Sequence, residues 1–258
     1  MKIFDFHLHP HYDFHNISIS DEDFAATLQK SGVGGFGGSV IHEGDCNHPV
    51  EEYAEIIPRL NAEAFEIHEK YPDVYVPGIH IHPDHKELSC AEIEKYADKG
   101  VRLIGELVHY LMGWTGHDRR ELIEILRVAS DRKMTLSFHP SRNTAAMETL
   151  ISSLPDMNIV IAHLDGYGLY DWSMEMMKKY KNVYFDISAH GAERVGMLSD
   201  TVNAVGAERI LYGTDFPGYT SEKFINYVLS ERISDSDREA IFYKNAERLL
   251  SLKTPLVK

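Results

Sequence analysis

Cysteine is scarce in this 258-residue chain: Cys46 and Cys90 stand far apart and form no C-x-x-C pair, which excludes a disulfide framework and a thiolate zinc site. Basic residues are also in deficit. With 26 Lys and Arg against 40 Asp and Glu, the formal net charge is −14, which argues against a surface that holds nucleic acid by its phosphates, although a local basic pocket could still grip one phosphate. No apolar run approaches the length needed to span a bilayer, and no basic segment precedes an apolar core at the start of the chain, so no membrane is expected and a reducing cytoplasm is the default location. There is no G-x-S-x-G elbow for a serine hydrolase. The stretch Gly32-Val33-Gly34-Gly35-Phe36-Gly37 does match G-x-G-x-x-G, but it follows a helix and leads into the apolar Ser39-Val40-Ile41. A dinucleotide cradle needs strand, turn, helix in that order, so these glycines are small residues in or before a strand. No low-complexity linker divides the chain, and one domain covering 1–258 is expected.

What the sequence does have is a repeated device. Lys2-Ile3-Phe4-Asp5-Phe6-His7-Leu8-His9-Pro10 is a short run of β-branched and aromatic residues, read as a buried strand stopped by Pro10. Residues two apart on a strand share a side, so His7 and His9 put two imidazoles where they can converge on one ion. Acids or imidazoles recur at the ends of later apolar runs: His80 and His82, Glu106 within Leu103-Ile104-Gly105-Glu106-Leu107, His139 after Ser137-Phe138, His163 after Ile161-Ala162, Asp186 after Tyr184-Phe185, and Asp215 in Gly213-Thr214-Asp215-Phe216-Pro217. Helical patterns separate the runs, among them 50–71, 91–98, 118–132, 144–154, 172–180 and 193–205, and two more close the chain. Eight apolar strands alternating with helices predict an α/β fold with a parallel sheet and right-handed crossovers, closed into a (β/α)8 TIM barrel. An open doubly wound sheet is the alternative, and it gives no reason for polar residues to gather at so many strand ends.

In such a barrel all C-terminal strand ends lie on one rim, where active sites are built. His7, His9, Glu106, His139, His163 and Asp215 are therefore expected to meet as metal ligands. Glu106, flanked by apolar residues, needs a cation or a proton as partner. Nitrogen and oxygen donors without thiolate suit a divalent ion, zinc foremost, with manganese, iron, cobalt or nickel as further choices, one or two ions per chain. In a second tier stand Asp186, expected to fix a ligand imidazole through its other nitrogen, together with His80, His82, His109 and His190. Arg142 is read either as a binder of a substrate carboxylate or phosphate or as a surface ion pair. Tyr110 and Trp114 are candidate pocket walls, and the polar loop His42 to His48 is read as a solvated turn near the pocket.

The His-x-His ending the first strand, the histidines ending the fifth and sixth, and the Asp of Gly-Thr-Asp-Phe-Pro ending the eighth resemble the amidohydrolase superfamily. Gly213 to Pro217 and the tail Lys244-Asn245-Ala246-Glu247-Arg248-Leu249-Leu250 are most similar to its amidohydrolase-related branch, which includes aminocarboxymuconate-semialdehyde decarboxylase. The resemblance implies His7, His9, His139 and Asp215 as ligands and His163 as a second-metal ligand or the residue that orients a metal-activated water. Glu106 departs from that branch and looks like the strand-four acid that bridges two metals in TatD-like hydrolases. The function expected is thus a metal-dependent hydrolase of an amide, ester, lactone or phosphoester, with Asp215 and His163 as catalytic residues; the alternative is a one-metal nonoxidative decarboxylase or lyase. The partner expected is a small-molecule substrate, and a homo-oligomer is left open.

Overall fold

The computed structural model describes residues 1–10, 13–14, 17–18, 21–191 and 193–252. β1 (Phe4–Asp5) opens the chain and a small antiparallel hairpin follows, β2 (Asp13–Phe14) with β3 (Ile17–Ser18). Most of the irregular loop expected between His11 and Ser20 lies outside the described residues. Strands and helices then alternate: α1 (Asp21–Ser31), β4 (Gly35–Ser39), α2 (Tyr53–Lys70), β5 (Tyr75–Ile79), α3 (Lys86–Asp98), β6 (Leu103–Leu107) and α4 (Arg120–Asp131). The second half runs β7 (Thr135–Phe138), α5 (Thr144–Ser153), β8 (Ile159–Ile161), α6 (Tyr170–Lys179), β9 (Val183–Asp186), α7 (Met197–Val205), β10 (Ile210–Leu211) and α8 (Ser221–Ser230). The chain ends in α9 (Asp235–Glu239), a π-turn at Ala240–Lys244, and α10 (Asn245–Leu249).

β1 and β4 to β10 form one sheet of eight parallel strands in chain order. Its two edges meet: Phe6 N–H donates to the Tyr212 carbonyl at 2.9 Å, His9 N–H to that of Phe216 at 2.9 Å, and Leu8 pairs with Phe216 in a parallel bridge. The sheet is a closed (β/α)8 barrel, as the alternation predicts.

Helices lie outside because one face of each is apolar. In α4, Leu122, Ile123, Ile125, Leu126 and Ala129 are buried, while Arg120 and Glu121 stay in water. α7 starts four residues later than its pattern suggests, since Gly196 takes a left-handed φ of 88° and breaks the run. The glycines of β4 have a steric cause: a side chain on Gly38 would collide with the Leu8 carbonyl oxygen of the neighbouring strand. At the N-terminal end of the strands Phe4 and Leu103 pack against Ala246, Leu249 and Leu250, and Thr135 Oγ1 donates to the Leu249 carbonyl at 3.3 Å. The C-terminal helix therefore plugs that end. Substrate can reach only the other. Among the described residues no helix is long and apolar enough to cross a membrane.

Candidate metal centre

All six residues expected to be ligands come together at the open mouth. Glu106 is central. Its Oε2 lies 3.2 Å from His7 Nε2 and 3.5 Å from His9 Nε2, while its Oε1 lies 2.9 Å from His139 Nδ1 and 3.5 Å from His163 Nε2. Asp215 Oδ1 closes the ring at 3.4 Å from His9 Nε2 and 3.8 Å from His7 Nε2. His7, His9, Glu106 and His163 are buried, and Asp215 is the most open of the set, its side chain 25% exposed.

The surroundings aim these rings. His7 Nδ1 donates to Asp186 Oδ2 at 2.8 Å, His9 Nδ1 to the Ser39 carbonyl at 2.9 Å, and His163 Nδ1 pairs with Ser188 Oγ at 2.9 Å. With the proton held on Nδ1 of His7 and His9, each turns an Nε2 lone pair to the centre. The other oxygen of Asp186 accepts from the backbone N–H of His163 and Ser188 and from Ser188 Oγ, so one carboxylate fixes two rings. Asp5 performs a similar task at the barrel seam: Thr214 Oγ1 donates to it at 2.6 Å, and the N–H groups of His7 and Thr214 at 3.2 and 3.1 Å. Two of the six also sit in left-handed backbone, His163 at φ 60° and Asp215 at φ 62°, a conformation that costs about 1–3 kcal/mol per residue and persists where the surroundings enforce it.

The electrostatics follow from packing opposite charges out of water. Burial disfavours charge on His7, but Glu106 and Asp186 outweigh it and hold its pKa well above the ordinary value. Burial is likewise overcome at His9, pushed up to about 9 by hydrogen bonding to Asp215 and Glu106. Burial alone would raise Glu106; His7 and His139 pull it well below the usual carboxylate range. At Asp5 burial wins over the hydrogen bonds from Thr214 and His7 and the charge of His7, and pushes it up to about 7. The pKa of His163 is lowered by burial.

A divalent cation fits this set. His7 Nε2 is buried and makes no hydrogen bond, although Glu106 Oε2 is 3.2 Å away. The raised pKa of His7 places a positive charge between that nitrogen and the carboxylate, a place a divalent cation could take, and nitrogen and oxygen donors without sulfur match Mn²⁺, Fe²⁺, Co²⁺ or Zn²⁺. Three mutually close groups could each hold an ion: His7, His9 and Glu106; Glu106, His139 and His163; and His7, His163 and Asp186.

Comparison with known proteins agrees with this architecture. The amidohydrolase family profile matches residues 5–252. The chain belongs to the amidohydrolase family. A curated relative, the gamma-resorcylate decarboxylase of Rhizobium radiobacter, is 27% identical over 120 residues, which is 40% of this chain and 37% of that protein. The aligned stretch thus spans well under half of the relative's length. Among solved structures, 2,6-dihydroxybenzoate decarboxylase complexed with 2,6-dihydroxybenzoate superposes with a TM-score of 0.81 at 16% identity, covering 98% of this chain and 100% of that one. The dihydroxybenzoic acid decarboxylase of Polaromonas sp. JS666, with bound manganese and the inhibitor 2-nitroresorcinol, gives 0.71 at 16% identity over 98% and 97%.

These relatives correct the expectation of a hydrolase, because they are decarboxylases. The inference rested on Glu106 as a mark of water attack. In this amidohydrolase Glu106 instead sits among four imidazoles, where a buried carboxylate offsets their charge whatever bond is broken. An ion held by such donors would polarise whatever oxygen is delivered to it, and the rim decides what is delivered.

The remaining candidates divide. Asp186 is the partner of a ligand imidazole, as expected. His82 is a hydrogen-bonded structural residue, bound to the Met112 carbonyl at 2.9 Å and the Asp84 N–H at 3.1 Å. His80 donates from Nε2 to the Val40 carbonyl at 2.8 Å. His190 pairs with Glu193 and Tyr219 away from the cluster, and His42, Asp45 and His48 are held in local pairs with Glu63, Arg59 and Glu52. Trp114 is buried against His109 and His117 and does not line the opening. Tyr110 does, 46% exposed and edge-on to His139 at 5.3 Å. Asp5, Ser39, Ser188 and Tyr167 were not picked out as site residues by their sequence. Only Asp5 carried a signal, two residues before His7 in the same alternating strand.

Proposed function

We propose that this protein is a metal-dependent nonoxidative decarboxylase of hydroxylated aromatic carboxylic acids. The observation that carries the reading is that the relative aligned in sequence and two solved barrels that superpose on nearly the whole chain are decarboxylases of such acids. The donor cluster supports it. One divalent ion per chain, held by His7, His9 and Asp215 with Glu106, His139 and His163 around them, would bind the substrate's oxygens and draw electron density from the ring. Manganese, bound in the Polaromonas enzyme, takes the place of zinc as the metal to try first.

Decarboxylation breaks the bond between ring and carboxylate; carbon dioxide leaves, the electron pair stays on the ring carbon, and a proton must arrive there. Asp215 is the residue placed to carry it, since its side chain faces both the histidine cluster and solvent. His163, its pKa lowered by burial and its ring steered by Ser188, orients the carboxylate that departs. The barrel floor, plugged by Ala246, Leu249 and Leu250, keeps water from the ring face.

The test is elemental analysis followed by measurement of carbon dioxide release from 2,6-dihydroxybenzoate and related hydroxybenzoates. About one equivalent of metal, with release that stops on chelation and returns on adding the ion, is expected. A fully metallated protein that releases nothing from any hydroxyaromatic acid would overturn the reading.

A further inference from the structure

The rim beside His139 carries a feature that the metal centre does not use. Tyr110 stands edge-on to His139 at 5.3 Å between ring centres, and Tyr167 stands edge-on to the same imidazole at 5.9 Å. Both rings are more than two-fifths exposed, at 46% and 43%, in a barrel that buries most of its aromatic residues. Tyr167 holds this place from left-handed backbone, φ 58° and ψ 16°, a rare conformation for a bulky residue and one found where surroundings fix a functional side chain. Over its face, 5.1 Å from the ring centre, lies the guanidinium of Arg142.

Arg142 is exposed and, among the described residues, makes neither an ion pair nor a hydrogen bond; its guanidinium stacks on Tyr167. Arg119, Arg120, Arg132 and Arg194, by contrast, all have carboxylate partners. The nearby acid Asp165 is already paired with Arg194. The surface ion pair considered for Arg142 is therefore not formed. Stacking on a tyrosine leaves the edge of the guanidinium, with its fork of N–H donors, turned to the surroundings.

We infer that Arg142, Tyr167 and Tyr110 form a second subsite at the mouth, in which the tyrosines flank the substrate's ring and Arg142 binds an anionic group left on that ring after decarboxylation. This deepens the proposed function and rests on it for the nature of the ring. The substrate class is narrowed to aromatic acids with two anionic groups, one at the metal centre and one at Arg142. A carboxylate is the group best matched, because its two oxygens accept in parallel from one guanidinium edge.

The experiment measures binding to the metal-loaded protein, so that it does not depend on turnover. The probes are terephthalate, with two carboxylates across the ring, and benzoate, with one, titrated calorimetrically. Wild type is expected to bind terephthalate roughly tenfold or more tightly than benzoate, the scale of a charge-assisted hydrogen-bonded pair. In Arg142→Met the ratio should fall to about one, and in Arg142→Lys it should be intermediate, since a lysine keeps the charge without the fork. Arg142 is exposed, so neither change threatens the fold. A wild-type ratio near one, or a ratio kept in Arg142→Met, would overturn the subsite. If discrimination is found but no hydroxyaromatic acid loses carbon dioxide, the decarboxylase reading fails and the subsite stands.

Discussion

Replacing Asp186 by Asn tests the most consequential hydrogen bond of the metal centre. In the wild type, Oδ2 accepts from His7 Nδ1 at 2.8 Å, and Oδ1 accepts from the N–H groups of His163 and Ser188 and from Ser188 Oγ. An asparagine has one acceptor and one donor. Three donors compete for the Oδ1 side, so the amide oxygen goes there and the NH2 faces His7. His7 must then move its proton to Nε2, where it points at Glu106 and blocks the lone pair needed for a cation. Loss of such a partner lowers metal affinity by about 10–100-fold, or about 1.4–2.7 kcal/mol. The assay is competition of the purified variant with a chelator of known affinity, with thermal melting alongside to show that the barrel is intact. A variant that melts as a folded protein and binds metal within twofold of wild type would refute the tautomer argument. Ser188→Ala, which removes the partner of His163 Nδ1 and one of the donors to Asp186 Oδ1 but leaves the bond from His7 to Asp186 in place, should cost less.

Asp215→Asn should keep its metal content and lose carbon dioxide release by about a hundredfold or more, the scale of a lost proton donor; near-normal turnover would remove its assigned role. Gly38→Ala should fail to give soluble barrel, because the added carbon meets the backbone carbonyl of Leu8, which has nowhere to move; a soluble variant with an unshifted melting point would contradict the close approach. Acid should weaken the fold partly through His80, whose pKa burial lowers to about 4. The unfolded chain takes up that proton near pH 6.5, so the contribution is complete above that pH and is lost as pH falls from about 6.5 toward 4, the loss being about 1.4 kcal/mol at pH 5.5. Denaturant titrations of wild type and His80→Leu at pH 7.5 and 5.5 should differ in their pH dependence by that amount; equal dependence would show that His80 does not contribute.

Much of the barrel was legible because its signals are local. Apolar runs such as Ile159-Val160-Ile161 and the apolar face of α4 announce buried strands and outer helices without reference to anything distant. The convergence of the six side chains was legible for a related reason: a histidine or acid ending an apolar strand is visible in one dimension, and parallel topology sends all such ends to one rim. What could not be read depends on contacts between strands. That Gly38 sits under Leu8, that Ser39 offers its carbonyl to His9, and that Ser188 steers His163 are relations across many residues of sequence. Tyr167 belongs to the same class, since nothing in Asp165-Gly166-Tyr167-Gly168 says that its ring will lie between Arg142 and His139. The reaction was misread because donors report which ion can bind, whereas bond choice lies with the rim.

The seam between β1 and β10 bears on how the protein is made. The His7 carbonyl receives the N–H groups of Thr214 and Asp215, and Asp5 holds Thr214 across 209 positions. A nascent chain on the ribosome has its first two imidazoles within seconds, yet lacks the carboxylate that completes their ring until the final strand has emerged. A polypeptide cut short before Thr214 would keep His7, His9 and Glu106 but lose the seam that aligns the first strand with them, so closing the barrel and finishing the site are one event.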